Sequence, residues 1–115
     1  MKTFDPSIMF RGWYVGNFEP AAYRTAAFEV GILEHKQGEV WDAHYHTQSD
    51  EINYLLEGQM LLNGVLLTAP IIFVIEQNEI ADPEFLTDCK LVVIKTPSAP
   101  GDKIIVPKHG ATNVN

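Results

Sequence analysis

The sequence predicts an all-β protein, and three observations carry that prediction. Apolar residues alternate at the two-residue period of a strand, as over 27–35, where Phe28, Val30 and Ile32 fall on one side and Glu29, Gly31 and Leu33 on the other. No stretch holds a 3.6-residue period long enough for a substantial helix, and no internal repeat is present. Asn63-Gly64 stands between Met60-Leu61-Leu62 and Val65-Leu66-Leu67, the mark of a hairpin whose type I′ turn needs positive φ at both central residues. A chain of 115 residues is large enough for one hydrophobic core and too small for two.

Taken in order, residues 8–18 are rich in aromatic and β-favouring side chains, with Gly12 and Gly16 at bends or close backbone approaches. They read as an arm or edge strand, which sets residues 1–26 apart from a body at 27–106. Lys36-Gln37-Gly38 is a turn. The strand after it has Trp41, Ala43 and Tyr45 on one side and Asp42, His44 and His46 on the other, and the polar side is expected to face a pocket. The next strand places Glu51, Asn53 and Leu55 opposite Ile52, Tyr54 and Leu56, so both of its faces are expected to be buried. The runs at 71–75 and 91–94 are short, β-branched and bounded by turn residues, again the pattern of strands buried on both faces. Residues 97–102 read as a loop, 104–106 as a last strand and 107–115 as a tail.

The chemistry concentrates in residues 38–58. His44 and His46, two apart in an extended strand, project from the same face, and after the polar stretch Thr47-Gln48-Ser49-Asp50 the chain returns with Glu51. Two imidazoles and a carboxylate suit Fe(II), Mn, Ni, Zn or Co and leave coordination positions open.

This stretch resembles the first motif of the cupins: Gly, five residues, His-x-His, three or four residues, Glu, six residues, Gly. Gly38, His44, His46, Glu51 and Gly58 meet every fixed position. The resemblance implies a small antiparallel β-barrel or double-sheet jelly roll in which His44, His46 and Glu51 ligate a divalent metal ion (Fe, Mn, Ni or Zn). The family's second motif is degenerate here, with Gln77, Glu79 and Asp82 where Pro, Gly and a metal-binding His are usual. Asp82 is therefore expected as a fourth ligand, the alternative being a pocket that binds without metal, as a binding module or a sugar isomerase or epimerase would. A metal-dependent enzyme of this kind would suit oxygenation, isomerisation or decarboxylation of a small molecule. Asn53, Tyr54 and Phe73 are candidates for the substrate pocket, with core packing an equal explanation for Tyr54 and Phe73. Cupin N-terminal segments often pack on a second subunit, so Phe10, Trp13 and Tyr14 are candidate homodimer contacts; covering this chain's own barrel end is the alternative.

Composition narrows the partners. Eight Lys and Arg against 15 Asp and Glu give a formal charge of −7, which repels nucleic acid and anionic membranes and leaves a small molecule as the expected partner. The single cysteine, Cys89, has no internal disulfide partner and reads as a structural thiol, and the N-terminus lacks an apolar signal region. Both point to the cytoplasm. The longest strictly apolar run, at 71–75, is far short of the roughly 20 residues that span a bilayer. His35, at a strand end, and His109, in the tail, are expected to be solvated.

Overall fold

The computed structural model describes residues 1–107, so His109 and most of the expected tail lie outside the described residues. A single turn of 3₁₀ helix, Pro6–Ile8, precedes the strands, its first turn capped by the Asp5 carboxylate. The strands are β1 (Trp13–Gly16), β2 (Tyr23–Arg24), β3 (Glu29–His35), β4 (His44–His46), β5 (Asp50–Glu57), β6 (Gln59–Leu62), β7 (Val65–Thr68), β8 (Ile71–Ile75), β9 (Pro83–Phe85), β10 (Cys89–Thr96) and β11 (Lys103–Ile105). Six form one sheet in the order β2-β1-β3-β10-β5-β8, while β7-β6-β9 and β11-β4 form two smaller sheets. The pairings are antiparallel except that of β1 with the edge strand β2.

Single bridges, Val40 to Glu84 and His44 to Ala81, tie the two smaller sheets into a layer across from the large one. The result is an all-β jelly roll, as expected, but the ladder does not close into a barrel. At the seam between β9 and β4 pairing shrinks to isolated bridges, because Pro83 has no N–H to give and residues 41–43 form no strand.

Register sorts the large sheet into two faces. Across β3, β10, β5 and β8 the inner rungs are Glu29-Lys95-Glu51-Ile75, Gly31-Val93-Asn53-Phe73 and Leu33-Leu91-Leu55-Ile71. The apolar rungs meet Met60, Leu67 and Phe85 of the facing layer in one core with Leu55, fully buried, among them. Emptying that position by Leu55→Ala would cost about 2–5 kcal/mol, the transfer and cavity terms together. The outer rungs, Val30-Ile94-Ile52-Val74 and Ile32-Val92-Tyr54-Ile72, are just as apolar. Here the expectation of burial on both faces fails: Ile52, Tyr54, Ile72 and Val74 are 38–62% exposed, since one chain supplies no second layer for this face.

Two turns depend on left-handed backbone. Asn63 and Gly64 adopt φ of +52° and +79°, the type I′ hairpin joining β6 to β7. Gly58 (φ +99°) lies so close to β10 that a Cβ there would come within 2.2 Å of the Asp88 carbonyl oxygen. At the N-terminus, β1 pairs with β3 as an edge strand and Trp13 packs against the core of its own chain. Among the described residues no helix is long and apolar enough to cross a membrane.

Candidate metal centre

Strand alternation brings His44 and His46 of β4 to the inner face, and the inner rung of β5 supplies Glu51. Ligand atoms of the three residues all lie within 4.8 Å of one another. His46 Nε2 is 3.3 Å from Glu51 Oε2, and the imidazole rings stand edge to face with centroids 5.5 Å apart. Burial lowers the His44 pKa and so favours the neutral, ligating ring. Burial alone would raise the Glu51 carboxyl, yet the adjoining His46 holds it below the ordinary carboxylate value.

The residue that orients this set is Asp102, which the sequence did not flag. It is 5% exposed, and its Oδ1 lies 2.8 Å from His46 Nδ1. Its Oδ2 accepts the N–H groups of Gln48 (3.2 Å) and Ser49 (3.1 Å), so one carboxylate fixes both the ring and the turn that leads to Glu51. Burial would push Asp102 up, but the bonds from His46 and these amides keep it below its usual value, hence charged. A charged acceptor makes Nδ1 the donor and turns Nε2 toward the triad. Burial opposes protonation of His46, but Glu51 and Asp102 on either side outweigh it and raise its pKa. Asp102 sits in a Pro-Gly loop that reads as a solvated connection; only the pairing of Lys103 with His46 across β11 and β4 delivers it to the ring.

The other candidate residues divide. Asn53 (2% exposed) and Phe73 line the cavity beside the triad. Tyr54 does not: it follows Asn53 in an extended strand, so it lies on the outer rung, 41% exposed. Asp82 likewise does not converge with the His44, His46 and Glu51 group. Ala81 exchanges backbone hydrogen bonds with His44 (3.0 and 2.8 Å) and lines the cavity, which leaves Asp82, one residue on, exposed and held by Asn63. The place across from His44 is thus occupied by a methyl group.

His35 also departs from expectation. It stacks on Phe85 at 4.1 Å and faces the same cavity, with Nδ1 2.5 Å from Glu39 Oε2. Trp41 Nε1 donates to that oxygen as well (2.5 Å). Against the opposing effect of burial, these two donors lower the Glu39 pKa to about 2. Cys89 is the buried structural thiol expected, its pKa raised by burial.

The cavity between the layers has a volume of about 400 Å³ and reaches the triad from an aromatic-walled interior. Both tryptophans line it, Trp13 beneath Lys95 Nζ (5.4 Å) and Trp41 beneath Lys103 Nζ (4.9 Å) and the Arg11 guanidinium (5.5 Å). Lys95 is paired with the buried Glu29 at 3.4 Å. Partial burial and the neighbouring Lys95 lower the pKa of Lys103.

No protein-family model matches the chain, nor does any curated protein. Solved structures do match. A Klebsiella pneumoniae protein with a double-stranded β-helix domain superposes with a TM-score of 0.64 at 16% identity, over 73% of this chain and 74% of that one. A protein of unknown function from Ralstonia eutropha, described as having a cupin-like fold, gives 0.63 at 12% identity over 84% of this chain and 57% of its own. The chain has the cupin fold. Streptomyces Pac13, solved with uridine, superposes with a TM-score of 0.62 at 18% identity over 72% of this chain and 71% of that one. At such identities the likeness shows the fold, and the chemistry of this chain rests on its own residues.

Proposed function

We propose that this cupin holds one divalent metal ion through His44, His46 and Glu51 and presents it to a small molecule in the adjoining cavity. The observation that carries the proposal is the convergence of three ligand atoms within 4.8 Å on the cavity wall. The donor set fits such an ion: burial favours a neutral His44, His46 favours an ionised Glu51, and Asp102 aims Nε2 of His46, whose raised pKa means that the ion would displace a proton there. Two nitrogens and an oxygen suit Fe, Mn, Ni or Zn, and such an ion supplies Lewis acidity at open coordination positions. The chain's own part is to orient and to exclude water. Asp102 holds the His46 ring, Asn53 offers an amide donor, and Trp13, Trp41 and Phe73 surround the bound molecule with apolar surface.

Elemental analysis of untagged wild type and of a His44→Ala, His46→Ala double variant tests this. Near-stoichiometric metal in the wild type and none in the variant is the expected result. A wild type that carries no metal and takes up none when it is added would overturn the proposal.

We also propose that the protein is a homodimer, in the cytoplasm, joined through the outer face of the large sheet. Two four-residue apolar rungs lie there uncovered, more than scattered surface hydrophobes account for. A second copy of the same face would bury them. The inward placement of Trp13 argues for the sheet rather than the N-terminal aromatic segment as the contact. The unpaired Cys89 suits a reducing compartment.

A further inference from the structure

The cavity holds more than the triad requires. Asn53 is 2% exposed on the rung next to Glu51, and its amide nitrogen has no acceptor in hydrogen-bond geometry, although it lies near enough to the Glu51 carboxylate to help hold that group's pKa down. A buried donor without an acceptor costs free energy that a ligand oxygen would recover. Toward the rim, Arg11 and Lys103 both stand over the Trp41 indole, at 5.5 and 4.9 Å. Neither forms an ion pair among the described residues, although the chain carries 15 acidic side chains against 8 Lys and Arg. Of the carboxylates that line the cavity, Glu29 is engaged by Lys95 and Ser98, Glu19 by Arg24, and Glu51 belongs to the triad. Two cations are therefore left facing the cavity in a protein that is otherwise strongly acidic.

From this juxtaposition we infer that the ligand is a small organic acid, its carboxylate received by Arg11 and Lys103 and a second oxygen, carbonyl or hydroxyl, accepting a hydrogen bond from the Asn53 amide beside the triad. The inference rests on the reading of the cavity as the binding site, and it names the substrate class. A guanidinium and an ammonium together favour a carboxylate over an uncharged group. The aromatic walls fit a short apolar body between the two polar ends.

Both tryptophans line this cavity, so its occupancy is read by their fluorescence. The probes are levulinate, levulinamide, which lacks the charge, and pentanoate, which lacks the keto oxygen, titrated at low salt into the Zn(II)-loaded and the chelated protein. Wild type is expected to bind levulinate at least about tenfold more tightly than either analogue. Lys103→Met and Arg11→Met, both at the exposed rim, should bring the levulinate to levulinamide ratio close to one while leaving the comparison with pentanoate. Asn53→Leu should do the reverse. Equal binding of all three probes by wild type, or undiminished charge discrimination in both rim variants, would overturn the inference. Discrimination that survives chelation and the double histidine substitution would support it even if the metal proposal failed. Discrimination that vanishes on chelation in every variant would assign the carboxylate to the ion and sink it.

Discussion

Nδ1 of His46 lies 2.8 Å from Oδ1 of Asp102, a carboxylate 56 positions later in the chain and 5% exposed. Substituting Asp102→Asn keeps the shape and removes the charge that makes Nδ1 the donor. Metal affinity, measured by competition against a chelator of known strength, should fall about 10–100-fold. Asp102→Ala should lower the melting temperature too, because the Gln48 and Ser49 amides lose their acceptor.

Ala81 and His44 face each other across a bridged pair on the cavity side. Ala81→His should place a third imidazole at the triad and raise metal affinity at least about tenfold in the same competition. Asp82→Ala, on the exposed side of that segment, should leave metal content and affinity unchanged.

The outer rungs of the large sheet give a separate test. Ile52→Lys combined with Ile72→Lys should turn a dimer into a monomer in sedimentation velocity, with metal content retained, since both side chains point away from the cavity. Sedimentation of wild type as a monomer at working concentrations would refute the dimer.

Glu39 sets a pH dependence of stability. Its pKa is depressed from 4.5 to about 2 by Trp41 and His35, against the opposing effect of burial. A depressed carboxyl stabilises the folded state in full above its unfolded value and loses that contribution as pH falls through the folded one. The difference in denaturation midpoint between wild type and Glu39→Gln should therefore be largest above about pH 5 and shrink toward about pH 2. A difference that stays constant across that window would show the carboxylate charge to be irrelevant.

Chelation should lower the melting temperature of wild type and leave the His44→Ala, His46→Ala variant unmoved, because an ion bound only by the folded chain stabilises it by mass action. Equal shifts in both proteins would place the effect elsewhere.

Much of this was legible from local pattern. Period-two alternation and Asn63-Gly64 specify strands and a hairpin through backbone preferences that act within a few residues. His44 and His46 share a face for the same reason, and Gly38, Glu51 and Gly58 stand at the spacings of the motif that the stretch resembles. The parity of β5 placed Asn53 beside Glu51, but parity alone does not say which face is the inside. Parity alone leaves Tyr54 open between the pocket and core packing, and the structure places it on the uncovered face. Asp82 is a similar case: a one-residue difference along an extended segment exchanges inside for outside, and Ala81 takes the inward place.

By itself, then, the sequence determined the all-β class, the hairpin and the shared face of His44 and His46, all of them consequences of short-range geometry, and it put Glu51 near enough in the chain to join them. Tertiary structure decided the rest. Asp102 reaches His46, His35 enters the cavity, and Arg11 and Lys103 meet over Trp41 because distant strands are brought into register, and no local propensity encodes such pairings. The outer rungs are uncovered for the same kind of reason, since whether an apolar face is buried depends on what packs against it.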